Sequence, residues 1–139
     1  RMTVEELFSL QADENRLRSL YIELARHEDF NPYKGNIITD MPKGSGAKNF
    51  SEWYIEEEER IKSRIEYYKK KVQEDREMIE EYIKEAPYPE SDIIRYRAIN
   101  NLSWEDVGGL IGYSRQQAAK KFWKYVKEEQ KERNAHGKL

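Results

Sequence analysis

The stretch Ser103–Val126, SWEDVGGLIGYSRQQAAKKFWKYV, decides the fold. Ser103 with Asp106 three residues on is a capping-box variant and predicts a helix start. Val107, Leu110 and Ile111 follow at the spacing of a buried helix face, and Gly112 stands where a helix ends in a left-handed residue. Gly112-Tyr113 is then the turn and Ser114 the next cap. Ala118, Phe122, Tyr125 and Val126 form the inward stripe of a second helix, and Arg115, Gln116, Gln117, Lys120, Lys121 and Lys124 fall mostly outside it. No acidic residue occurs between Asp106 and Glu128. Gly108 sits where the first helix must carry a small residue for the second to approach. Gly109 has no such reason and costs about 1 kcal/mol relative to alanine as an exposed helix glycine. Two short helices on a tight glycine turn, the second basic, predict a helix-turn-helix that binds double-stranded DNA.

Upstream of it, Ser91 is expected to cap a helix through about Asn100, with Ile94, Arg97 or Ala98, and Leu102 facing inward. Asn100-Asn101 makes the turn into Ser103. Residues 91–127 are therefore expected to form a trihelical DNA-binding domain. Residues 87–90, within Ala86-Pro87-Tyr88-Pro89-Glu90, form a stiff proline linker before it. Residues 128–139 have no apolar period and read as a flexible tail.

Residues 1–86 read as a helical or coiled-coil region. From Thr3 to about His27, Leu7, Leu10, Leu17, Tyr21 and Leu24 keep a heptad stripe broken at Glu14, with Thr3 and Glu6 as a capping box. From Ser51, the expected cap, to about Glu85, the stripe is Tyr54, Ile61, Ile65, Tyr68, Val72, Ile79, Tyr82 and Ala86. Glu58 and Asp75 interrupt it, in a helix of roughly fifty ångströms. The two stripes can close on each other as an antiparallel hairpin or be completed by further copies of the chain. The sequence leaves that choice open, and a homo-oligomer stands as an inference. Between them, residues 29–49 read as a loop. Its Lys34, Lys43 and Lys48 do not have the spacing of a phosphate-binding loop, and no strand precedes them.

The 139 residues contain no cysteine, and 37% are charged, which favours helices with a modest core over a large buried interior. No disulfide or thiolate metal site is available, and no apolar run reaches the ~20 residues of a membrane span. Arg1 ahead of Met2 reads as a cloning remnant. With no signal-like segment, the expected compartment is the cytoplasm of a bacterial host. Charge is divided by region. Residues 1–90 hold 15 Lys and Arg against 21 Asp and Glu, and residues 91–139 hold 10 against 6, so a duplex is attracted to the C-terminal part.

An Arg or Gln at the N-terminus of the second helix can read guanine or adenine in the major groove, and the lysines further along can meet phosphates. A basic helix packing on protein in a generic hairpin is the plainer alternative. Trp104, Tyr113 and Trp123 have helical spacing and read as core rather than base-stacking groups. The glutamates at 56–59 read as a charged helix face suited to an early helix turn, and Lys69, Lys70 and Lys71 as solvated. His27 and His136 have no partner at a ligand or base spacing. No nucleophile, general-base, metal or cofactor constellation is visible, so the chain does not read as an enzyme.

Over IIRYRAINNLSWEDVGGLIGYSRQQAAKKFWKYV the chain resembles region 4 of bacterial sigma factors. It more closely resembles small phage transcriptional regulators of the RinA and ArpU type. That resemblance extends to a loop segment like Met41-Pro42-Lys43-Gly44 and to a long charged helix before the C-terminal motif. It implies an all-α fold, recognition-helix positions for Ser114, Arg115, Gln116, Gln117, Lys120 and Lys121, and a regulator of phage late genes that contacts RNA polymerase as well as DNA. Gly109 and Ala118 depart from the family pattern, the latter in place of a larger apolar residue. Two alternatives from other classes are a DNA-packaging subunit like the small terminases, whose DNA-binding unit is usually N-terminal, and a helical adaptor that binds only protein.

Overall fold

The computed structural model describes residues 2–30 and 49–137, the last five by backbone alone. The expected loop, with Lys34, Lys43, Lys48 and the segment 41–44, falls almost wholly outside those residues. The protein is all-α: α1 is Val4–Asp29, α2 Phe50–Glu85, α3 Glu90–Ile94 continuing into a π-helical turn Arg95–Ile99, α4 Trp104–Ile111 and α5 Arg115–Gly137. Among the described residues there is no strand. No helix among them is long and apolar enough to cross a membrane.

The chain packs as two units, one of Glu14–Lys71 and one of Arg1–Asp13 with Val72–Leu139, so the division falls inside α1 and α2 rather than at the prolines. The first unit is an antiparallel helical hairpin. Leu20, Ile61 and Ile65 are its buried centre, with Leu17, Leu24 and Tyr68 packed around them. His27 stacks on Tyr54 at 4.0 Å between ring centroids and shares a 2.9 Å hydrogen bond with the Tyr54 carbonyl, its Nε2–H donating. The two heptad stripes are thus closed on each other within one chain, the first of the two arrangements the sequence left open.

Two details of the stripes differ from expectation. Tyr21 is exposed and Leu20 is buried in its place, because the stripe passes through Leu17, Leu20, Leu24 and His27, still in steps of three and four. The cap of α2 is Asn49, whose Oδ1 accepts from the Glu52 backbone N–H at 2.8 Å, rather than Ser51.

The second unit has one continuous core. Leu7 and Leu10 of α1, Ile79, Tyr82 and Ile83 of α2, and Ile93, Ile94, Ala98, Ile99, Val107, Ala118, Phe122 and Val126 of the C-terminal helices are buried together. The Thr3–Glu6 capping box starts α1 as expected, with reciprocal bonds of 3.0 and 3.1 Å. Phe8 packs against both Phe122 and Trp123, at 6.0 and 6.2 Å between ring centroids. Gln11 donates to the Arg97 carbonyl at 2.7 Å. Arg95 makes a forked pair of hydrogen bonds to Glu80 at 2.7 and 2.9 Å, joining α2 to the π-helical turn that follows α3. Such bidentate pairing is geometrically specific. The prolines break the helix, yet residues 91–127 share their interior with the start of α1 and the end of α2.

Ser91 is not a cap: Pro89 holds that position without a side-chain bond. α5 runs on past residue 127, where the sequence suggested a flexible tail. Lys, Glu, Gln and Arg are good helix formers, and Glu129 lies beside the buried Tyr82 and the half-buried Tyr125, tying the extension to the core.

Candidate nucleic-acid interface

The motif is built as the sequence indicates, from caps and a close approach. Ser103 is the N-cap of α4, its hydroxyl accepting from the Asp106 N–H at 3.1 Å. Gly112 ends that helix in the left-handed region at φ 78°, and the Tyr113 N–H returns to the Gly108 carbonyl at 2.8 Å. A Cβ on Gly108 would stand 2.5 Å from the Tyr113 carbonyl oxygen, which sets the separation of α4 from the turn. Gly109 faces open space, so the structure offers no packing reason for it.

The inward face of α4 is Trp104, Val107, Gly108 and Ile111 rather than Val107, Leu110 and Ile111. Leu110 is 59% exposed, because Gly108 takes the closest position and turns Leu110 outward. Ala118 and Phe122 are both fully buried, and Trp104 meets the Phe122 ring edge-on at 5.3 Å, so the ring fills the space beside the small Ala118.

Before α4, the π-helical turn closes with the Asn100 N–H on the Arg95 carbonyl at 3.0 Å, and Asn101 takes a left-handed φ of 58°. Arg97 fixes this turn. One guanidinium nitrogen donates to the Leu102 carbonyl at 2.9 Å, and the group lies 4.8 Å over the Trp104 ring.

The proposed DNA-reading side chains divide into three sets. Ser114 and Gln117 form a reciprocal capping box: the Gln117 N–H donates to the Ser114 hydroxyl at 3.1 Å, and the Ser114 N–H donates to the Gln117 Oε1 at 2.9 Å. Their side chains shape the start of α5, and Gln117 is less available to a base than its position suggests. Gln116, Lys120 and Lys124 are exposed along one outward face at steps of four, and Lys127, which the sequence reading did not single out, continues it. Arg115 stands to one side. With Gln116 and Ala119 it lines an open cleft against Arg97, Ser103, Trp104 and Glu105. Lys121 is half-buried, its ammonium 5.6 Å from the centroid of Tyr113.

Arg97 is therefore a cationic group at the site that sequence periodicity hid, since helical spacing offered it as an inward residue. Glu105 is the acidic residue among those lining the cleft with the two arginines. Among the described residues no three His, Cys, Asp or Glu side chains gather as a metal-holding group.

No family model, curated protein or solved structure matches the chain.

Proposed function

We propose that the chain is a sequence-specific double-stranded DNA-binding protein that reads the major groove with the N-terminal turns of α5. The observation that carries this reading is the pairing of a tightly closed α4–α5 turn with an outward α5 face of Gln116, Lys120, Lys124 and Lys127. A recognition helix needs an exposed polar N-terminus for base edges and cations further along for phosphates. Arg115 and Gln116 are the base-reading candidates, and Lys120, Lys124 and Lys127 the phosphate contacts. Ser114 and Gln117 act mainly as the cap that aims them, and Lys121 supports the turn through Tyr113.

The resemblance to phage regulators of the RinA and ArpU type extends the proposal to transcriptional control of phage late genes in the bacterial cytoplasm. In this reading the protein is a binding module without catalysis.

The test is binding to random and phage-promoter duplexes across a salt series. Wild type prefers a promoter sequence. Arg115→Ala loses that preference, and Lys120→Ala weakens all duplexes alike and lowers the salt slope by about one. Absence of duplex binding even at low salt overturns the reading and favours the protein-binding adaptor.

A further inference from the structure

We propose that the helical hairpin of Glu14–Lys71 binds a second copy of itself in antiparallel fashion, through the flank of α2 that carries Trp53, Arg64 and Tyr67. Two observations carry this, and both lie within that unit.

The first is a separation of charge along the hairpin. The salt bridge of Arg60 to Glu23, at 2.9 Å, and the packing of Leu20 with Ile61 place residues 14–20 beside 60–71 and residues 21–29 beside 50–59. The former half holds eight Lys and Arg against two Glu; the latter holds one Arg against eight Asp and Glu. A rod with opposite charge on its two halves repels a parallel copy and attracts an antiparallel one. A two-fold axis across its middle then sets each basic half against an acidic half.

The second observation is a stripe on α2 that lies beside the buried apolar centre of the hairpin and is not part of it. The buried heptad positions of this half are Tyr54, Ile61 and Ile65. Trp53, Glu57, Arg60, Arg64 and Tyr67 follow a second line in steps of four and three, one residue before the buried one, on a flank of α2 where Arg60 reaches Glu23 and Trp53 meets the His27 ring at 5.8 Å. Trp53 and Tyr67, 44% and 60% exposed, are the large apolar groups at its two ends. Read backward from Arg60 the steps are three then four and forward four then three, so Trp53 lies opposite Tyr67 of the second copy, and Glu57 faces Arg64 of the second copy with an offset of one residue, about 1.5 Å along the axis. Arg60 at the centre is neutralised within its own chain by Glu57 and Glu23. Of the nine large hydrophobic side chains exposed among the described residues, six (Tyr21, Ile22, Phe30, Trp53, Ile55 and Tyr67) belong to this hairpin. The acidic half argues against a nucleic acid as occupant, since phosphates would meet eight carboxylates along the same rod.

The test is sedimentation equilibrium of the full chain from low to high salt. Wild type is expected at twice 16.7 kDa at low salt, with association weakening as salt rises. Arg64→Glu and Glu57→Arg each weaken association about tenfold, because the two-fold axis counts every mismatch twice, and the double charge swap restores it. Residues 57 and 64 are two helical turns apart, so recovery in the dimer constant reports a contact between copies. Trp53→Ser and Tyr67→Ser, with helicity checked by circular dichroism, weaken it as well. A monomer at low salt overturns the proposal, as does a dimer indifferent to these substitutions. So does a monomer whose DNA affinity falls on replacing Lys69, Lys70 and Lys71, which would make the basic half a nucleic-acid contact.

Discussion

Gly108 lies so close beneath the Tyr113 carbonyl that a Cβ on it would stand 2.5 Å from that oxygen, whereas one on the adjacent Gly109 would meet nothing within 4 Å. Two neighbouring glycines in one short helix therefore have opposite meanings. Gly108→Ala must push the turn away from α4 and is expected to cost about 1–3 kcal/mol. Gly109→Ala removes backbone freedom from the unfolded chain without a clash and is expected to gain up to about 1 kcal/mol. Urea denaturation of the two variants reads the sign directly. A Gly108→Ala protein as stable as wild type would show that α4 and the turn are not in contact.

Glu105 lines the same cleft as Arg97 and Arg115. If this side of the motif faces phosphates, Glu105→Gln removes a repulsion and is expected to raise duplex affinity several-fold at low salt. The gain should shrink toward high salt as screening lengths fall to about 3 Å at 1 M. Fluorescence anisotropy at two ionic strengths measures it. An unchanged or reduced affinity would place the cleft away from the duplex.

The Ser114–Gln117 box predicts a separation of aim from contact. Ser114→Ala removes a cap worth about 1 kcal/mol of helix stability and should weaken binding to all duplexes alike. Arg115→Ala leaves the cap intact and should change sequence preference. Comparing promoter-to-random affinity ratios for the two variants decides the point, because loss of preference in Ser114→Ala would make the hydroxyl a base contact.

Glu80 on the acid side, and Tyr82 with Tyr125 on the alkaline side, couple the stability of the second unit to pH. The hydrogen-bonded guanidinium of Arg95 holds the Glu80 carboxyl below its ordinary value, so that interaction is present above the unfolded-state value and is lost as pH falls through the folded one. Burial, followed by the Glu129 carboxylate, pushes the Tyr125 phenol up to about 12. The unfolded chain then ionises first, and the stabilisation, complete below about 10, is lost as pH rises toward the folded value. Burial pushes the Tyr82 phenol up as well, and further. Glu80→Gln should therefore make the acid limb of a stability–pH curve shallower. Tyr125→Phe should reduce the alkaline limb in part, and Tyr82→Phe with Tyr125→Phe should flatten it. Thermal melts across pH would show no such flattening if these contacts were not maintained in solution.

Local causes were the more legible ones, although the caps expected at Ser51 and Ser91 fell instead to Asn49 and Pro89, since a serine two residues inside a helix has the same local sequence as one at its start. The caps at Thr3, Ser103 and Ser114, the stop at Gly112 and the need for a small residue at Gly108 are set within a few residues by unsatisfied N–H groups and by Cβ sterics, and they stand where the sequence puts them. Position alone was weaker wherever two readings kept the same period. Leu20 and Tyr21 both continue a three-and-four stripe, and only the packing against Ile61 selects the leucine. Leu110 continued a plausible buried face until the approach of the turn at Gly108 rotated it outward. Arg97 looked inward by spacing, but its guanidinium could be assigned only once the Leu102 carbonyl and the Trp104 ring were in place.

By itself, then, the sequence determined an all-α chain, the two stripes of its long helices and the α4–α5 motif with its caps, because 3.6-residue periodicity and end-capping are local physics. Tertiary structure alone decided that the stripes close on each other within one chain and that the motif shares a single core with Leu7, Leu10, Ile79 and Tyr82 across the proline break. The reason is that an apolar stripe states only that it must be buried, and which surface buries it is a property of distant residues meeting in space.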